Sequence, residues 1–163
     1  MWYDDPASVI RCSKLSNTIT QIAANAFYNA GPNITLENLP ENLLTLGDWA
    51  FYNCTGLKIT SFGSDVTPGL SYIGQGVFSM AAASGGTSVN GTIEIKKSVI
   101  GIYQGGSNYY VDMPFANYGT NIVAKLSYPA SQYYANSLLT ITGITPAGTG
   151  VTSFIEPPKE ELS

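Results

Sequence analysis

With 11% charged residues and a formal net charge of −4, the 163-residue chain has no basic face to neutralise a phosphate backbone. Its seven cations (Arg11, Lys14, Lys58, Lys96, Lys97, Lys125, Lys159) are scattered, so nucleic acid is not an expected partner, and no run of eighteen apolar residues marks a membrane span or predicts a membrane partner. The length suffices for one domain whose core needs neither metal nor disulfide staples; the sequence leaves open whether Cys12 and Cys54 pair.

Residues 1–18 carry acids where a signal peptide carries bases and lack an apolar h-region, which predicts an N-terminal cap rather than an export signal. From residue 19 the chain repeats. "IAANAFYNA" (22–30), "LGDWAFYNC" (46–54) and "IGQGVFSMA" (73–81) superpose on Phe27, Phe51 and Phe78, and "DMPFANYGTN" adds a looser anchor at Phe115; the spacings are 24, 27 and 37 residues. Ile22, Leu46 and Ile73 precede each Phe by five residues, and Ala26, Ala50, Val77 and Pro114 by one. These read as inward positions whose small or apolar side chains let neighbouring copies approach. Cys54 falls in an apolar column after Phe, where a thiol serves as a small hydrophobe.

The polar position after Phe holds Asn29, Asn53, Ser79 and Asn117, and its recurrence predicts a ladder of side chains bonding backbone along a turn. Alternating β-rich runs follow each turn at 33–40, 57–62, 91–99 and 121–129, with shorter apolar pieces before Phe at 43–47 and 70–74. Each repeat therefore reads as two short extended pieces and one helical or 3-10 bend starting near Ala-Phe. The charged, proline-bearing "PPKEELS" end reads as solvated tail.

"LLTLGDWAFYNCTGLKITSF" (43–62) resembles the BspA-like leucine-rich repeat in its Ile/Leu-Gly step, Ala-Phe pair, polar-Asn turn, Leu and alternating strand. The resemblance implies a β-rich solenoid of the α/β leucine-rich-repeat kind, a right-handed stack of about four coils with short parallel strands and helical or 3-10 turns. It divides the chain into an N-terminal cap (1–18), repeats with an irregular last coil (19–128), and a C-terminal cap with a flexible tail (129–163), the segment 124–138 resembling the Pro- and Tyr-bearing close of such arrays. The insertions at 80–91 and 101–113 depart from the pattern.

Chemistry is harder to assemble. Histidine is absent, no nucleophile, base and orienter share a spacing, and the Gly-rich stretches lack a phosphate-loop lysine, so neither catalysis, nor a metal, nor a cofactor is expected. Aromatics remain. Trp49 and Tyr52 flank Phe51, and Trp49 occupies a column otherwise held by Asn25 and Gly76, where packing does not require an indole. Tyr103, Tyr109, Tyr110 and Tyr118 crowd an insertion-rich coil together with Asn108 and Asp112, a composition suited either to holding sugars or a protein through amphipathic rings or to plugging an irregular coil or sealing a subunit contact. The resemblance implies surface attachment, hence a non-enzymatic module binding a protein or surface glycan at a cell surface, as part of a larger exported protein. The alternative is a structural component of a bacteriophage virion, a decoration, fibre or neck-type protein partnered with itself or other virion proteins, with 138–156 as a docking strand or arm.

Overall fold

The computed structural model describes residues 11–103, 112–133 and 150–159. Over these the chain is strand-rich, with eight short strands: β1 (Gln21–Ile22), β2 (Thr45–Leu46), β3 (Ser61–Phe62), β4 (Tyr72–Ile73), β5 (Asn90–Ile95), β6 (Gly101–Ile102), β7 (Thr120–Leu126) and β8 (Val151–Ile155). Short helical pieces lie at Gly31–Asn33, Ala82–Ser84 and Ala130–Tyr133. All strand pairs are parallel and form three sheets, β1-β2, β4-β6 and β3-β5-β7-β8. Pairing joins each segment to its counterpart in a later repeat: Ile22 lies opposite Leu46, Ile73 opposite Ile102, and Phe62, Ile95 and Leu126 fall in one row. A bridge between Cys12 and Ile34, and a 2.8 Å bond from Lys58 N–H to the Leu36 carbonyl, carry the β3 row back toward the first repeats.

The strands are shorter at the N-terminal end than their alternation predicts. The run 33–40 contributes only the Ile34 bridge, and 57–62 only β3, whereas 91–99 and 121–129 form β5 and β7 of 6 and 7 residues. A strand is no longer than its neighbour allows, and Ile34 meets the single residue Cys12. The segment read as a docking arm also behaves differently in its described part: Val151–Ile155 pairs with β7 of its own sheet, Ala124 opposite Phe154.

The predicted helical bend is not a helix. In the first repeat Ala26, Tyr28 and Ala30 N–H donate to the carbonyls of Ala23, Asn25 and Phe27, a run of β-turns with Asn25 and Asn29 at φ 61° and 60°. The second repeats the pattern through Ala50, Tyr52 and Cys54, with Trp49 and Asn53 at φ 61° and 54°. A left-handed residue in the third position of a turn is the type II arrangement, and it stops a helix from propagating. The N–H groups that the turns leave free reach forward to the next repeat: Phe27 to Ala50 at 2.7 Å, Phe51 to Val77 at 3.0 Å and Phe78 to Pro114 at 2.8 Å. This is why the same motif recurs at a fixed register.

That register stacks the four anchor rings. Phe27, Phe51, Phe78 and Phe115 lie 5.2, 5.7 and 5.4 Å apart, their planes within 14° of parallel. Phe62 of β3 meets Phe78 and Phe115 edge-on at 4.8 and 5.0 Å, and the buried Tyr118 donates its hydroxyl to the Ile59 carbonyl at 2.7 Å. Phe51 and Phe78 are fully covered, whereas Phe27 is half-buried and Ala26 exposed, because no described repeat lies over the first one. Cys12 and Cys54 are both free thiols. Cys54 is buried with its Sγ 3.0 Å from the Phe27 carbonyl, and burial pushes its pKa up to about 11, so it stays a protonated hydrophobe.

The turn ladder predicted from the Asn column exists, with one shift in register. Asn53 Nδ2 donates to Asn29 Oδ1 at 2.7 Å, Asn53 Oδ1 accepts from Ala81 N–H at 3.3 Å, and Asn117 Nδ2 donates to the Met80 carbonyl at 3.1 Å. The third repeat's counterpart of Asn53 is Met80, not Ser79, since Asn53 N–H bonds the Ser79 carbonyl just as Asn29 N–H bonds that of Tyr52. Asn serves here chiefly for its backbone: Asn29, Asn53 and Asn117 all have φ between 54° and 60°. Ser79 belongs instead with Tyr28, Tyr52 and Ala116, and its buried Oγ has no hydrogen-bond partner among the described residues. Ser79→Ala removes a desolvated hydroxyl that gains nothing in the fold and is expected to raise unfolding free energy by about 1 kcal/mol. Urea denaturation checks this; a loss of stability would mean the hydroxyl is satisfied.

Candidate recognition surface

The turn backbone and the strand before it set out the surface side chains. Trp49 is the exception among the left-handed turn residues: its counterparts are Asn25 and Gly76, types that tolerate a positive φ, whereas a bulky L-residue pays a steric cost there of about 1–2 kcal/mol. The indole is half-buried and lies flat on the next repeat, where a Cβ on Gly76 would come within 2.1 Å of its ring. Its edge meets Tyr52 at 5.4 Å, and Tyr52 in turn lies 4.9 Å from Tyr28, which is 50% exposed. Burial and then the neighbouring Tyr28 hold the Tyr52 phenol above its usual pKa.

Two further side chains are seated the same way. Asp48 Oδ1 accepts the Gln75 N–H at 3.1 Å and occupies space that a Cβ on Gly74 would enter, at 2.2 Å. Tyr72, exposed on β4 opposite Gly101, leans so that a Cβ on that glycine would touch its ring at 3.0 Å. Tyr103 follows β6, and Asp112 gives its carbonyl to Gly76 N–H at 2.8 Å. Electrostatics ties the group together: the Tyr72 phenol is raised by burial, then by Asp48 and Tyr103, and the Tyr103 phenol by burial, then by Asp112 and Asp48.

The structure therefore puts Trp49 and Tyr52 in contact, while, after burial, the charge of Asp112 raises the Tyr103 phenol and that of Asp48 raises the phenols of both Tyr72 and Tyr103. Tyr109 and Tyr110 lie outside the described residues. Ile102 nevertheless stands 13 residues before Phe115, where its sheet partner Ile73 stands 5 before Phe78, so the 8 extra residues fall between Tyr103 and Asp112.

A family model described as the BspA type leucine rich repeat region matches residues 8–103, more than half of the chain, with six copies. The chain belongs to the BspA-type leucine-rich repeat family. The Phe register marks three anchors within that span, and Phe115 lies beyond it. Comparison with curated proteins and with solved structures gave no match.

Three surface residues of this BspA-type chain escape a reading of the sequence: Tyr28, Asp48 and Tyr72. Tyr28 shares its column with Tyr52, and Tyr72 alternates with the inward Ile73, signals that point outward but not toward one another. No cluster of three metal-ligating side chains occurs among the described residues. Clefts open elsewhere. One of about 790 Å³ lies between residues 13–17 and 35–41, lined by Lys14, Lys58, Glu37 and Glu41 and by no aromatic ring. Leu15 and Leu39 are its apolar lining, without the aromatic rings that usually help to hold a small molecule.

Proposed function

We propose that this chain is a non-catalytic recognition module, a right-handed solenoid of about four coils that presents an aromatic, acid-flanked surface to a protein or glycan at a cell surface. Membership of the BspA-type family supports a protein-binding or adhesion role. One observation carries the assignment to this surface: Trp49 holds a left-handed backbone position that the fold itself fills with Asn25 and Gly76. Strain kept at one residue of a repeat, with an indole placed at the surface as the result, is the mark of a selected contact. Tyr52, Tyr103 and Asp112 complete the surface, together with Tyr28, Asp48 and Tyr72.

The test is Trp49→Asn, which restores the residue type of the first repeat. Relief of backbone strain offsets the lost ring contact, so unfolding free energy is expected to change by less than about 1 kcal/mol, while attachment to cells and retention on a glycan array fall to background. Undiminished attachment by the folded variant sinks the reading. A second reading, a building block of a larger particle such as a virion, has in its favour the exposure of Ala26 and Tyr28 on the first described repeat. Light scattering separates the two. A monomer supports recognition, and concentration-dependent assembly through the first repeat supports the particle.

A further inference from the structure

We propose that the surface formed by Asp48, Trp49, Tyr72, Tyr103 and Asp112 receives ammonium groups, carried as paired lysine side chains on a partner protein. The inference rests on the recognition reading and names the chemistry of its ligand. Three of the five side chains are seated by glycines of the following repeat: Asp48 over Gly74, Trp49 over Gly76 and Tyr72 over Gly101, each in space that a Cβ would occupy at 2.2, 2.1 and 3.0 Å respectively. A surface with three of its five members seated by absent side chains is a built one.

Its two carboxylates take part in no ion pair among the described residues. Asp48, Gln75 and Asp112 hold the same position, three residues before Phe51, Phe78 and Phe115, so the two carboxylates stand two repeats apart with a neutral amide between them. The ion pair found among the described residues, Lys96 with Asp65 at 3.9 Å, involves neither Asp48 nor Asp112. The cations have gone to another part of the molecule: Lys14, Lys58, Lys96 and Lys125 line its clefts. Ring faces add to the same preference, since an aromatic quadrupole attracts a cation.

Phosphate and sulfate groups are repelled by such a surface, and a neutral sugar leaves both charges without a counterpart. Two acids separated by two steps of a parallel stack, roughly 10 Å at strand spacing, match two amines held at a fixed distance. A peptide chain supplies that and a single free amine does not.

The experiment uses the whole chain, labelled with nitrogen-15, titrated separately with an acetylated and amidated Gly-Lys-Gly-Lys-Gly peptide, with choline and with maltotriose, following the amides of Gly74, Gly76 and Gly101. The peptide is expected to shift all three saturably. Asp48→Asn with Asp112→Asn should weaken it roughly tenfold, and about 0.5 M salt should act in the same direction. Asparagine keeps an Oδ1 acceptor for the Gln75 N–H, so the fold is preserved. Peptide binding unchanged by the double variant, choline binding tighter than the peptide, shifts by maltotriose alone, or no shift with any probe each overturns the lysine assignment and leaves the recognition reading standing. That reading falls only on the separate result, cell attachment indifferent to Trp49→Asn.

Discussion

Gly47→Ala is expected to destabilise the fold by about 3 kcal/mol. The added Cβ would sit 2.1 Å from the Ala24 nitrogen, 2.5 Å from its Cα and 2.7 Å from the Ala23 carbonyl carbon. All three are backbone atoms, so no side chain can rotate away, and relief requires the first two repeats to separate. Separation breaks the bonds that clasp them, Gly47 N–H to Ile22 at 2.8 Å and Asn25 N–H to Asp48 at 3.0 Å. Gly85→Ala is the control: its φ of 80° costs about 1 kcal/mol, but nothing stands within 4 Å of the new atom. Urea denaturation of the two variants should differ by about 2 kcal/mol. Equal losses would mean that repeats one and two do not approach as closely as the backbone indicates.

Phe78→Ala should cost about 4 kcal/mol, a fall in melting temperature of roughly 12 °C for a chain of this size. Phe78 is the most connected ring of the core: it stacks on Phe51 at 5.7 Å and Phe115 at 5.4 Å and meets Phe62 and Tyr118 edge-on at 4.8 and 6.0 Å. Its removal leaves a cavity between two stacked neighbours that the turn bonds hold in place, so collapse is poor and the cost lies high in the usual range. Phe27→Ala is expected to cost about half as much, because Phe27 is half-buried and stacks on one face only. Calorimetry on both variants checks the ratio. A loss at Phe27 equal to that at Phe78 would show that something covers the first repeat in solution.

The Phe register was legible because it is the point where every repeat makes the same contacts: one aromatic anchor, a small or apolar residue before it and a turn after it. The turn's conformation was not. Asn29, Asn53 and Asn117 read as hydrogen-bonding side chains, and they do bond, but their shared φ near 55–60° is the property that a helix assignment overlooks. Ser79 does not belong to this column even by counting, because Asn29, Asn53, Met80 and Asn117 each stand two residues after their Phe; the preference for a polar residue hides an apolar Met80, and the forward bond from Asn53 to the Ser79 carbonyl agrees with the count. Trp49 and Tyr52 stood out by size, whereas Asp48 and Tyr72 did not, since their significance depends on Gly74 and Gly101, glycines belonging to other repeats. Columns within a motif are visible in one dimension; the vacancy that seats a side chain is set by a residue 26 or 29 positions away.

The forward hydrogen bonds of the turns have an electrical consequence. The backbone N–H groups of Asn25, Phe27 and Asn29, of Trp49, Phe51 and Asn53, and of Gly76, Phe78 and Met80 all donate to carbonyls of the following repeat. The peptide dipoles in this column are therefore aligned head to tail, as in a helix, and their partial charges cancel everywhere except at the ends. At the first repeat the carbonyls of Ala24, Ala26 and Tyr28 are the counterparts of the acceptors Asp48, Ala50 and Tyr52, with no described repeat before them to donate. Within the described repeats the column therefore points carbonyls toward the first repeat and N–H groups toward the fourth, so its two directions are electrically unlike and cannot be exchanged.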